Sequence, residues 1–383
     1  MKIAILGEGI TAKAIREKLS AMKATEVSIE NADLIVTSPG INVYPETNIE
    51  IISEIEWAYR FLMKTSKPIL IAISGTNGKT TVTKMIAHLL DIPAVGNIGI
   101  PLVSMVDQQH PILAIEVSSF QLETCKNFTP HIAVLTNLTP DHLDRHLTME
   151  NYGQAKAKLF LNQTQDQHLV YCQEDPLLVQ LVQKAKAQKH GYHRHSPYRS
   201  LWRNKNLIGE HNVLNALAAI HVGKIMGLSE ETIKEKLSTF PAVEHRIEKV
   251  RTLNDKTFYN DSKATNPDSS KIAIQSFQTP VHLMLGGKNK GLDLEEFLEF
   301  SQKTVKSITT FGEIGPEIYN ILKKKYPNFP CYYAENIEKA VRHAFDQAKP
   351  GDTILFSPAS SSFDEFKNFE HRGTVFKDIV NGL

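Results

Sequence analysis

Residues 69–81 read Ile-Leu-Ile-Ala-Ile-Ser-Gly-Thr-Asn-Gly-Lys-Thr-Thr, and this stretch decides the fold of the central part of the chain. The apolar run predicts a buried strand, and the amphipathic residues 82–90 after it predict a helix. A glycine-rich loop between a strand and a helix is the setting in which proteins bind phosphate groups, because backbone N–H groups and the helix N-terminus face one point. The strict motif has glycine where this chain has Ile73, so the loop is a tighter variant anchored by Gly75.

The loop carries the two side chains that a bound nucleoside triphosphate requires. Lys79 provides a mobile positive charge for the β- and γ-phosphates, and Thr80 offers a hydroxyl group to Mg²⁺. The sequence therefore predicts a nucleotide-binding loop formed by Gly75, Thr76, Asn77, Gly78, Lys79, Thr80 and Thr81. The loop alone does not exclude a simple glycine-rich turn that begins a helix.

Length and composition indicate several ordinary globular domains. The chain has 383 residues, 42% of them hydrophobic, with 43 basic and 42 acidic side chains and a net charge of +1. This balance provides no electrostatic footprint for nucleic acid or for an anionic membrane, and no apolar run is long enough to span a bilayer. The three scattered cysteines indicate neither a disulfide framework nor a zinc site, so a cytoplasmic location is expected.

Alternating apolar runs and helical patterns predict an α/β fold with three domains. We expect a small Rossmann-like domain at residues 1–66, a central P-loop domain with a parallel sheet at 67–242, and a Rossmann-like domain at 243–383. The basic stretch 184–203 is interpreted as a solvated excursion.

Two predicted strands of the central domain end in residues suited to metal or acid–base chemistry. Glu116 follows the strand that begins at Ile112, and Asp141 and His142 lie in the loop after the strand 132–135. Carboxyl ends of parallel strands meet at one edge of a sheet, so these groups are expected near the phosphate loop. A helix-capping role for Glu116 and an ordinary hydrogen-bonded role for His142 remain as alternatives.

The first domain contains a second glycine-rich turn. Residues 7–12 read Gly-Glu-Gly-Ile-Thr-Ala, which formally matches a dinucleotide fingerprint. The unit is too short for two mononucleotide-binding halves, which favours a domain that binds one nucleotide-linked substrate. A tight turn without a ligand and a dehydrogenase are the alternatives, although nothing downstream offers a hydride-transfer site.

Two segments near the C-terminus carry a family resemblance. Residues 260–267 read Asn-Asp-Ser-Lys-Ala-Thr-Asn-Pro, and residues 357–366 read Ser-Pro-Ala-Ser-Ser-Ser-Phe-Asp-Glu-Phe, followed by Phe369 and Arg372. With the phosphate loop, these residues resemble the Mur ligase family, ATP-dependent amide ligases that build peptidoglycan precursors. The resemblance covers residues 67–383 and is weaker before them.

The resemblance implies substrates and cofactors. The C-terminal segments are similar to those of the branch that adds D-glutamate to UDP-N-acetylmuramoyl-L-alanine, and the Asp-Asn-Pro-Arg motif of the diaminopimelate- or lysine-adding branch is absent. We therefore expect ATP, two Mg²⁺ ions and an acyl-phosphate intermediate. The expected partners are these small molecules, without nucleic acid or membrane, and the expected state is a monomer.

The resemblance also implies residue roles. Catalytic roles fall on Lys79, His142, Lys156 and Lys263, and metal binding falls on Thr80, Glu116, His142 and Lys156, the last as a lysine carbamate. Further nucleotide contacts are expected from Asn212, Arg246 and Asp261. Muramoyl-substrate contacts are expected from Asn97, Ser118 and His142, and D-glutamate contacts from Lys263, Thr265, Lys290, Ser362, Phe363 and Phe369. Ile10, Thr11 and Gly40 are expected at the uridine, although residues 22–31 leave little room for the usual second strand of that domain.

Two further functions remain as alternatives. A folylpolyglutamate-type ligase would share the phosphate loop and the metal edge but would accept folate and L-glutamate. A nucleotide-hydrolysing switch would need a guanine motif of the form Asn-Lys-x-Asp, and residues 289–293 read Asn-Lys-Gly-Leu-Asp, with the acid one position late.

Overall fold

The structure is a computed structural model that describes residues 1–41, 43–204, 207–288, 291 and 293–383. The described residues form three sheets flanked by helices, so the predicted three-domain α/β architecture is confirmed. Contacts divide the chain into two compact units, residues 1–203 with 213–239, and residues 204–212 with 240–383. The first two sheets share the first unit, and the predicted domain boundaries remain predictions.

The first sheet is small and entirely parallel. Its elements are β1 (Lys2–Leu6), α1 (Ile10–Lys18), β2 (Thr25–Glu26), β3 (Leu34–Thr37), β4 (Ile51–Ser53) and α2 (Glu54–Leu62), and the strand order is β2-β1-β3-β4. The segment expected to lack room for a second strand contains only the two-residue β2 at the sheet edge. Buried Ile3 and Ile35 on adjacent strands belong to the core of this sheet.

The second sheet has six parallel strands. Its elements are β5 (Ile69–Ser74), α3 (Lys79–Leu90), β6 (Ala94–Gly96), β7 (Ile112–Glu116), α4 (Ser119–Glu123), β8 (Ile132–Leu135), α5 (Leu143–His146), α6 (Met149–Ala157), β9 (His168–Cys172), α7 (Pro176–Leu181), β10 (Gln188–Tyr192), α8 (Glu210–Ile225) and α9 (Glu230–Thr239). The order β10-β9-β8-β5-β7-β6 places β5 between β7 and β8. The residues after these three neighbouring strands therefore lie at one edge of the sheet.

Part of the basic stretch 184–203 is not a solvated excursion. Residues 188–192 pair in parallel with β9, and the side chain of Tyr192 is buried. The strand reads Gln-Lys-His-Gly-Tyr and has only one large apolar side chain, so its sequence did not indicate a strand.

The third sheet lies in the second unit. Its elements are β11 (Glu248–Leu253), β12 (Lys256–Asn260), α10 (Pro267–Gln275), β13 (Val281–Gly286), α11 (Glu295–Thr304), β14 (Ser307–Phe311), α12 (Gly315–Lys325), β15 (Cys331–Tyr333), α13 (Ile337–Gln347), β16 (Thr353–Phe356) and α14 (Phe369–Asn381). The order is β11-β12-β16-β13-β14-β15, and only the β11–β12 pair is antiparallel. Side chains alternate across the sheet, so Leu283 and Leu285 pack in one core and Met284 in the other.

Helix α2 connects the first sheet to the second through a buried carboxylate. Glu56 is fully buried and accepts hydrogen bonds from the backbone N–H groups of Lys126 (3.1 Å), Asn127 (3.0 Å) and Phe128 (2.8 Å). The Arg60 Nε atom, one turn later on α2, donates to the same carboxylate at 2.7 Å. These bonds satisfy a charge that burial would otherwise make costly.

A second buried carboxylate on α2 is less completely satisfied. Glu54 accepts a hydrogen bond from the Val103 N–H at 2.6 Å, while its Oε2 atom is buried without a hydrogen-bond partner. Burial raises the pKa of Glu54 to about 7. Glu54 is therefore a group whose charge changes near neutral pH.

Among the residues that the structure describes, no helix combines the length and the apolar character needed to cross a membrane.

Candidate active site

The phosphate loop connects β5 to α3, as the sequence predicts. Gly75 has φ = +143°, and a Cβ atom there would lie 1.9 Å from the Thr136 Oγ1 atom. Gly78 has φ = +84° and precedes the first residue of α3, and its Cβ would lie 2.4 Å from the Asn215 Oδ1 atom. Both positions therefore require glycine, which is the reason for the two glycines of the motif.

The residues after β8 hold the phosphate loop in place. The N–H groups of Thr76 and Asn77 donate to the carbonyl oxygen (2.9 Å) and the Oδ1 atom (2.8 Å) of Asn137. The Thr136 hydroxyl donates to the Asn77 carbonyl oxygen at 2.6 Å. Thr136 and Asn137 were not among the residues predicted from the sequence, although their position after a strand next to β5 was a usable signal.

Two lysines converge on one carbonyl oxygen of the loop. The Nζ atom of Lys79 donates to the carbonyl oxygens of Gly75 (2.9 Å) and Thr76 (2.8 Å), and the Nζ atom of Lys156 donates to the Gly75 oxygen at 2.8 Å. Lys156 lies on α6, and its Nζ atom is 4.5 Å from the Tyr152 ring centroid. Two of the predicted catalytic side chains are therefore brought together.

The environment of Lys156 disfavours its charged form. Burial holds the pKa of Lys156 well below its usual range, and the positive charge of Lys79 lowers it further. The carboxylates of Asp141 and Glu116 act on the pKa in the opposite direction. The lysine is thus predisposed to be a neutral amine, the form that reacts as a nucleophile.

Glu116 ends β7 and presents one open oxygen. Its side chain is buried, its Oε1 atom accepts a hydrogen bond from the Asn97 Nδ2 atom at 3.1 Å, and its Oε2 atom is buried without a hydrogen-bond partner. The close pairing of Gly96 with Glu116 positions Asn97, because a Cβ at Gly96 would lie 2.2 Å from the Glu116 carbonyl oxygen. A buried carboxylate with an unsatisfied oxygen suits a hard cation such as Mg²⁺.

The described residues contain no cluster of three or more His, Cys, Asp and Glu side chains that could hold a metal ion by itself. Any Mg²⁺ near Glu116 would therefore need ligands of other kinds, such as the buried Thr80 hydroxyl, water and phosphate oxygens. A ligand set of few protein side chains, water and phosphate oxygens is typical of magnesium sites that form around a nucleotide.

His142 lies immediately before the one-turn helix α5, and its side chain is about half exposed. Its backbone has φ = +53°, its Nε2 atom is 3.6 Å from an Asp141 carboxylate oxygen, and its ring centroid is 4.7 Å from that of Phe120. Ser118 is the N-cap residue of α4, and its hydroxyl accepts a hydrogen bond from the Gln121 N–H at 3.2 Å. The metal role of His142 and the substrate role of Ser118 remain predictions.

In the second unit, Asp261 is the centre of a buried polar cluster. Its carboxylate accepts hydrogen bonds from the Ser357 hydroxyl (2.7 Å) and the Ile247 N–H (3.2 Å). Burial raises the pKa of Asp261 to about 7, while the nearby Arg246 charge lowers it. Burial, together with Arg246, also lowers the pKa of His211 to about 4. Arg246 therefore lies close enough to Asp261 for their charges to interact. The nucleotide roles of both residues remain predictions.

The third predicted nucleotide contact, Asn212, is buried in the same unit. Its Nδ2 atom donates to the Ile208 carbonyl oxygen at 2.8 Å.

A buried arginine organises the predicted amino-acid pocket. Arg372 is fully buried, and its guanidinium donates to the Ser262 hydroxyl (3.1 Å) and carbonyl (2.8 Å) oxygens and to the carbonyl oxygens of Ser360 and Ser361 (both 3.0 Å). Burial lowers its pKa to about 10, so it stays charged at neutral pH. The sequence analysis used Arg372 only as part of a motif and missed this role.

Four of the predicted D-glutamate residues, Lys263, Thr265, Ser362 and Phe363, lie on the two segments that Arg372 joins, and Phe369 begins the helix that carries Arg372. The Lys263 Nζ atom is 5.1 Å from the Phe369 ring centroid, Ser362 is buried, and Phe363 is 62% exposed. Thr265 is half-buried in the loop before α10. Lys290 lies outside the described residues.

A cleft of about 370 Å³ opens at the carboxyl edge of the first sheet, lined by Gly7, Glu8, Gly9, Thr11, Ser38, Pro39, Gly40 and Ile41. It contains two of the three residues expected at the uridine, Thr11 and Gly40. The third, Ile10, is 71% exposed at the start of α1.

Comparison with known proteins identifies the family of the chain. Residues 73–205 match the model of the Mur ligase middle domain, and residues 245–360 match that of the Mur ligase glutamate ligase domain. The UDP-N-acetylmuramoylalanine--D-glutamate ligase of Thermoanaerobacter sp. (strain X514) is 40% identical over 93% of this chain and 85% of its own length. That of Clostridioides difficile (strain 630) is 36% identical over the same shares.

Solved structures show the same fold at low identity. The MurF ligase of Thermotoga maritima in complex with ADP aligns with a TM-score of 0.67 at 16% identity, over 99% of this chain and 95% of its own. The UDP-N-acetylmuramate-alanine ligase MurC of Thermotoga maritima aligns with a TM-score of 0.67 at 19% identity, over 100% and 99%. From its matched domains and its curated relatives, this chain belongs to the Mur ligase family, beside the UDP-N-acetylmuramoylalanine--D-glutamate ligases.

Proposed function

We propose that this protein is an ATP-dependent ligase that joins D-glutamate to the L-alanyl carboxyl group of UDP-N-acetylmuramoyl-L-alanine. The observation that carries the proposal is the 40% identity to curated ligases of this name across 93% of the chain. The phosphate loop with Lys79 and the buried Glu116 oxygen provide the chemistry that such a reaction needs. The folate and switch alternatives have no comparable support.

In the proposed reaction, the substrate carboxylate attacks the γ-phosphorus of ATP, ADP leaves, and an acyl phosphate forms. The neutral amine of D-glutamate then attacks the acyl carbon, inorganic phosphate leaves with the pair of electrons from the C–O bond, and the nitrogen loses one proton to water or to the departing phosphate. Lys79 and the loop N–H groups would stabilise the transferring phosphoryl group through their positive charge. When bound, Mg²⁺ neutralises phosphate charge, with Thr80 and Glu116 as its proposed protein ligands.

Residues of the second unit would bind D-glutamate and part of the nucleotide. Lys263 would pair with a carboxylate of the amino acid, and Arg246 and Asp261 would contact the nucleotide. The cleft of the first sheet, with Thr11 and Gly40, would bind the uridine nucleotide end of the donor.

Substitution of the loop lysine tests the proposed activity. We expect Lys79→Ala to lower phosphate release by at least about 100-fold, because a preorganised charge at the transition state is lost. Lys84→Ala, an exposed lysine on the same helix, is the matched control. With the parent protein, only D-glutamate should support product formation when it is exchanged for L-glutamate, lysine or diaminopimelate. Product from folate and L-glutamate would contradict the proposal.

We also propose that Lys156 becomes a carbamate that helps to bind a second Mg²⁺, together with His142. The lone pair of the neutral amine attacks CO₂, an N–C bond forms while one C–O π bond breaks, and the amine proton passes to water. Support comes from the burial that lowers the pKa of Lys156. Activity in CO₂-depleted buffer should fall and should return on addition of bicarbonate. Activity independent of CO₂ would contradict the carbamate.

A further inference from the structure

Arg145, a residue that no step above uses, joins the first sheet to the second. Its Nη1 atom donates to the Ile41 carbonyl oxygen at 2.8 Å, and its Nη2 atom donates to the Tyr44 hydroxyl at 3.1 Å. Its Nε and Nη2 atoms donate to the Glu123 carboxylate at 3.0 and 2.5 Å. The Arg145 side chain is only 12% exposed, so these charge-assisted bonds are partly shielded from water.

At one end, Arg145 holds the wall of the cleft. Ile41 lines the cleft and directly follows Gly40, one of the residues expected at the uridine. The Ile41 N–H donates to the Ser38 carbonyl oxygen at 3.3 Å, and the Ser38 hydroxyl donates to the Leu6 carbonyl oxygen at 3.0 Å, so this turn is tied to β1. These bonds hold the shape of the cleft without Arg145, so the bond from Arg145 to the Ile41 carbonyl oxygen fixes the position of the turn relative to the second sheet.

At the other end, Arg145 belongs to the same one-turn helix as His146 and directly follows the loop with His142. Its guanidinium carbon lies 4.4 Å from the Phe120 ring centroid, and the same ring contacts His142 (4.7 Å) and His146 (5.7 Å). The His146 Nδ1 atom is also 3.4 Å from Glu123. Arg145, Phe120 and Glu123 thus fix the position of α5 and of His142 before it.

We propose that Arg145 is a positioning residue that aligns the cleft of the first sheet with the reaction edge of the second, so that one long substrate reaches both. A planar guanidinium fixes two directions at once, which a flexible ammonium group does not. The inference rests on the proposal that the cleft binds the uridine nucleotide end of UDP-N-acetylmuramoyl-L-alanine. Arg145 itself would touch neither the nucleotide nor the reacting carboxylate.

Loss of such a positioning residue should impair the reaction of the whole substrate more than the binding of its nucleotide part alone. We expect Arg145→Met to lower kcat/KM for UDP-N-acetylmuramoyl-L-alanine by on the order of 100-fold, because an ångström of misalignment can have that effect. Binding of UDP alone, measured by calorimetry, should change by less than about twofold, and so should KM for ATP. The matched control is Arg194→Met, which removes an arginine from another Arg–Glu pair, with Glu174.

Tyr44→Phe gives a second measurement if Arg145→Met does not fold. It removes one acceptor of the guanidinium and should reproduce the same pattern at a smaller size, with UDP binding unchanged. Equal losses for UDP and for the whole substrate, or no loss of kcat/KM in either variant, would overturn the positioning role. A parent protein that binds no UDP would instead contradict the assignment of the cleft, so the two failures are distinguishable.

Discussion

The two units each contain a fully buried basic side chain, and the two side chains differ in how their environment treats the charged form. Arg372 donates four hydrogen bonds to three serines and keeps its charge at neutral pH, with a pKa of about 10. Lys156 donates to the Gly75 carbonyl oxygen beside the charged Lys79, and burial holds its pKa well below the usual range. A satisfied buried charge organises structure, whereas a poorly compensated one is available for chemistry.

The largest expected effect is on stability at Arg372. Arg372→Met should lower the free energy of unfolding by about 3–5 kcal/mol, because it leaves buried serine acceptors without donors. Urea denaturation of the full chain measures this. Arg342→Met, which breaks only an exposed pair with Glu338, should cost less than about 1 kcal/mol. If both variants were equally stable, the claim that the buried charge of Arg372 organises the structure would be wrong.

At Lys156 the expected loss is in activity rather than stability. Lys156→Met should lower kcat/KM by about 100-fold, which corresponds to about 2.7 kcal/mol in the barrier. Its stability should equal or exceed that of the parent, since replacing a buried, poorly satisfied polar group by an apolar side chain of similar size is often neutral or favourable. Steady-state kinetics and thermal denaturation are the measurements, and Lys186→Met, at an exposed position, is the control. A Lys156→Met protein that loses stability but keeps its activity would show that Lys156 has a structural role and not a chemical one.

The smallest expected effect concerns Glu54, a buried acid. It tests whether an incompletely satisfied acidic group also has a stability that depends on its charge. The pKa of Glu54 is about 7 in the folded chain, above its ordinary value of 4.5. The folded state therefore binds the proton more tightly, and stability should fall as pH rises between those values. The slope is about 1.4 kcal/mol per pH unit at most. Glu54→Gln should make the fall in stability between pH 5.5 and 6.5 less steep by the contribution of Glu54, while Asp261, whose pKa is also about 7, keeps its own contribution. Urea denaturation at several pH values measures the difference between parent and variant.

Glu50→Gln is the control for this slope. The pKa of Glu50 is lowered to about 2, mainly by its hydrogen bond to Arg60, so Glu50 is ionised throughout the same pH range. An unchanged slope in Glu54→Gln, or a slope lost in Glu50→Gln, would show that another group titrates.

The sequence predicted the features that depend on local pattern. The strand β8 covers the predicted residues 132–135, β7 begins at Ile112 as predicted, and the glycine-rich loop lies between β5 and α3. Local pattern did not predict the edge strands β2 and β10, because pairing with a neighbour decides them more than their own residues do.

Local sequence pattern also could not predict the residues that support the site. Arg145 contacts residues about 100 positions away, and Arg372 contacts Ser262, 110 positions away. Nothing in a single sequence marks such pairs, since a polar residue near a motif is usually solvated. The lysines predicted to be catalytic were named from motifs and from the family resemblance, whereas Arg145 and Arg372 were not predicted to have supporting roles.

The carboxylate of Glu56 bears on how the chain can be divided. This one carboxylate accepts hydrogen bonds from the N–H groups of three consecutive residues, 126–128. These residues lie on the other side of the domain boundary expected at residue 66. A fragment that starts at residue 67 would expose those N–H groups and the apolar surface beneath α2. The small first domain is therefore not an exchangeable module, and a graft from a longer relative would have to bring its own acid to this position.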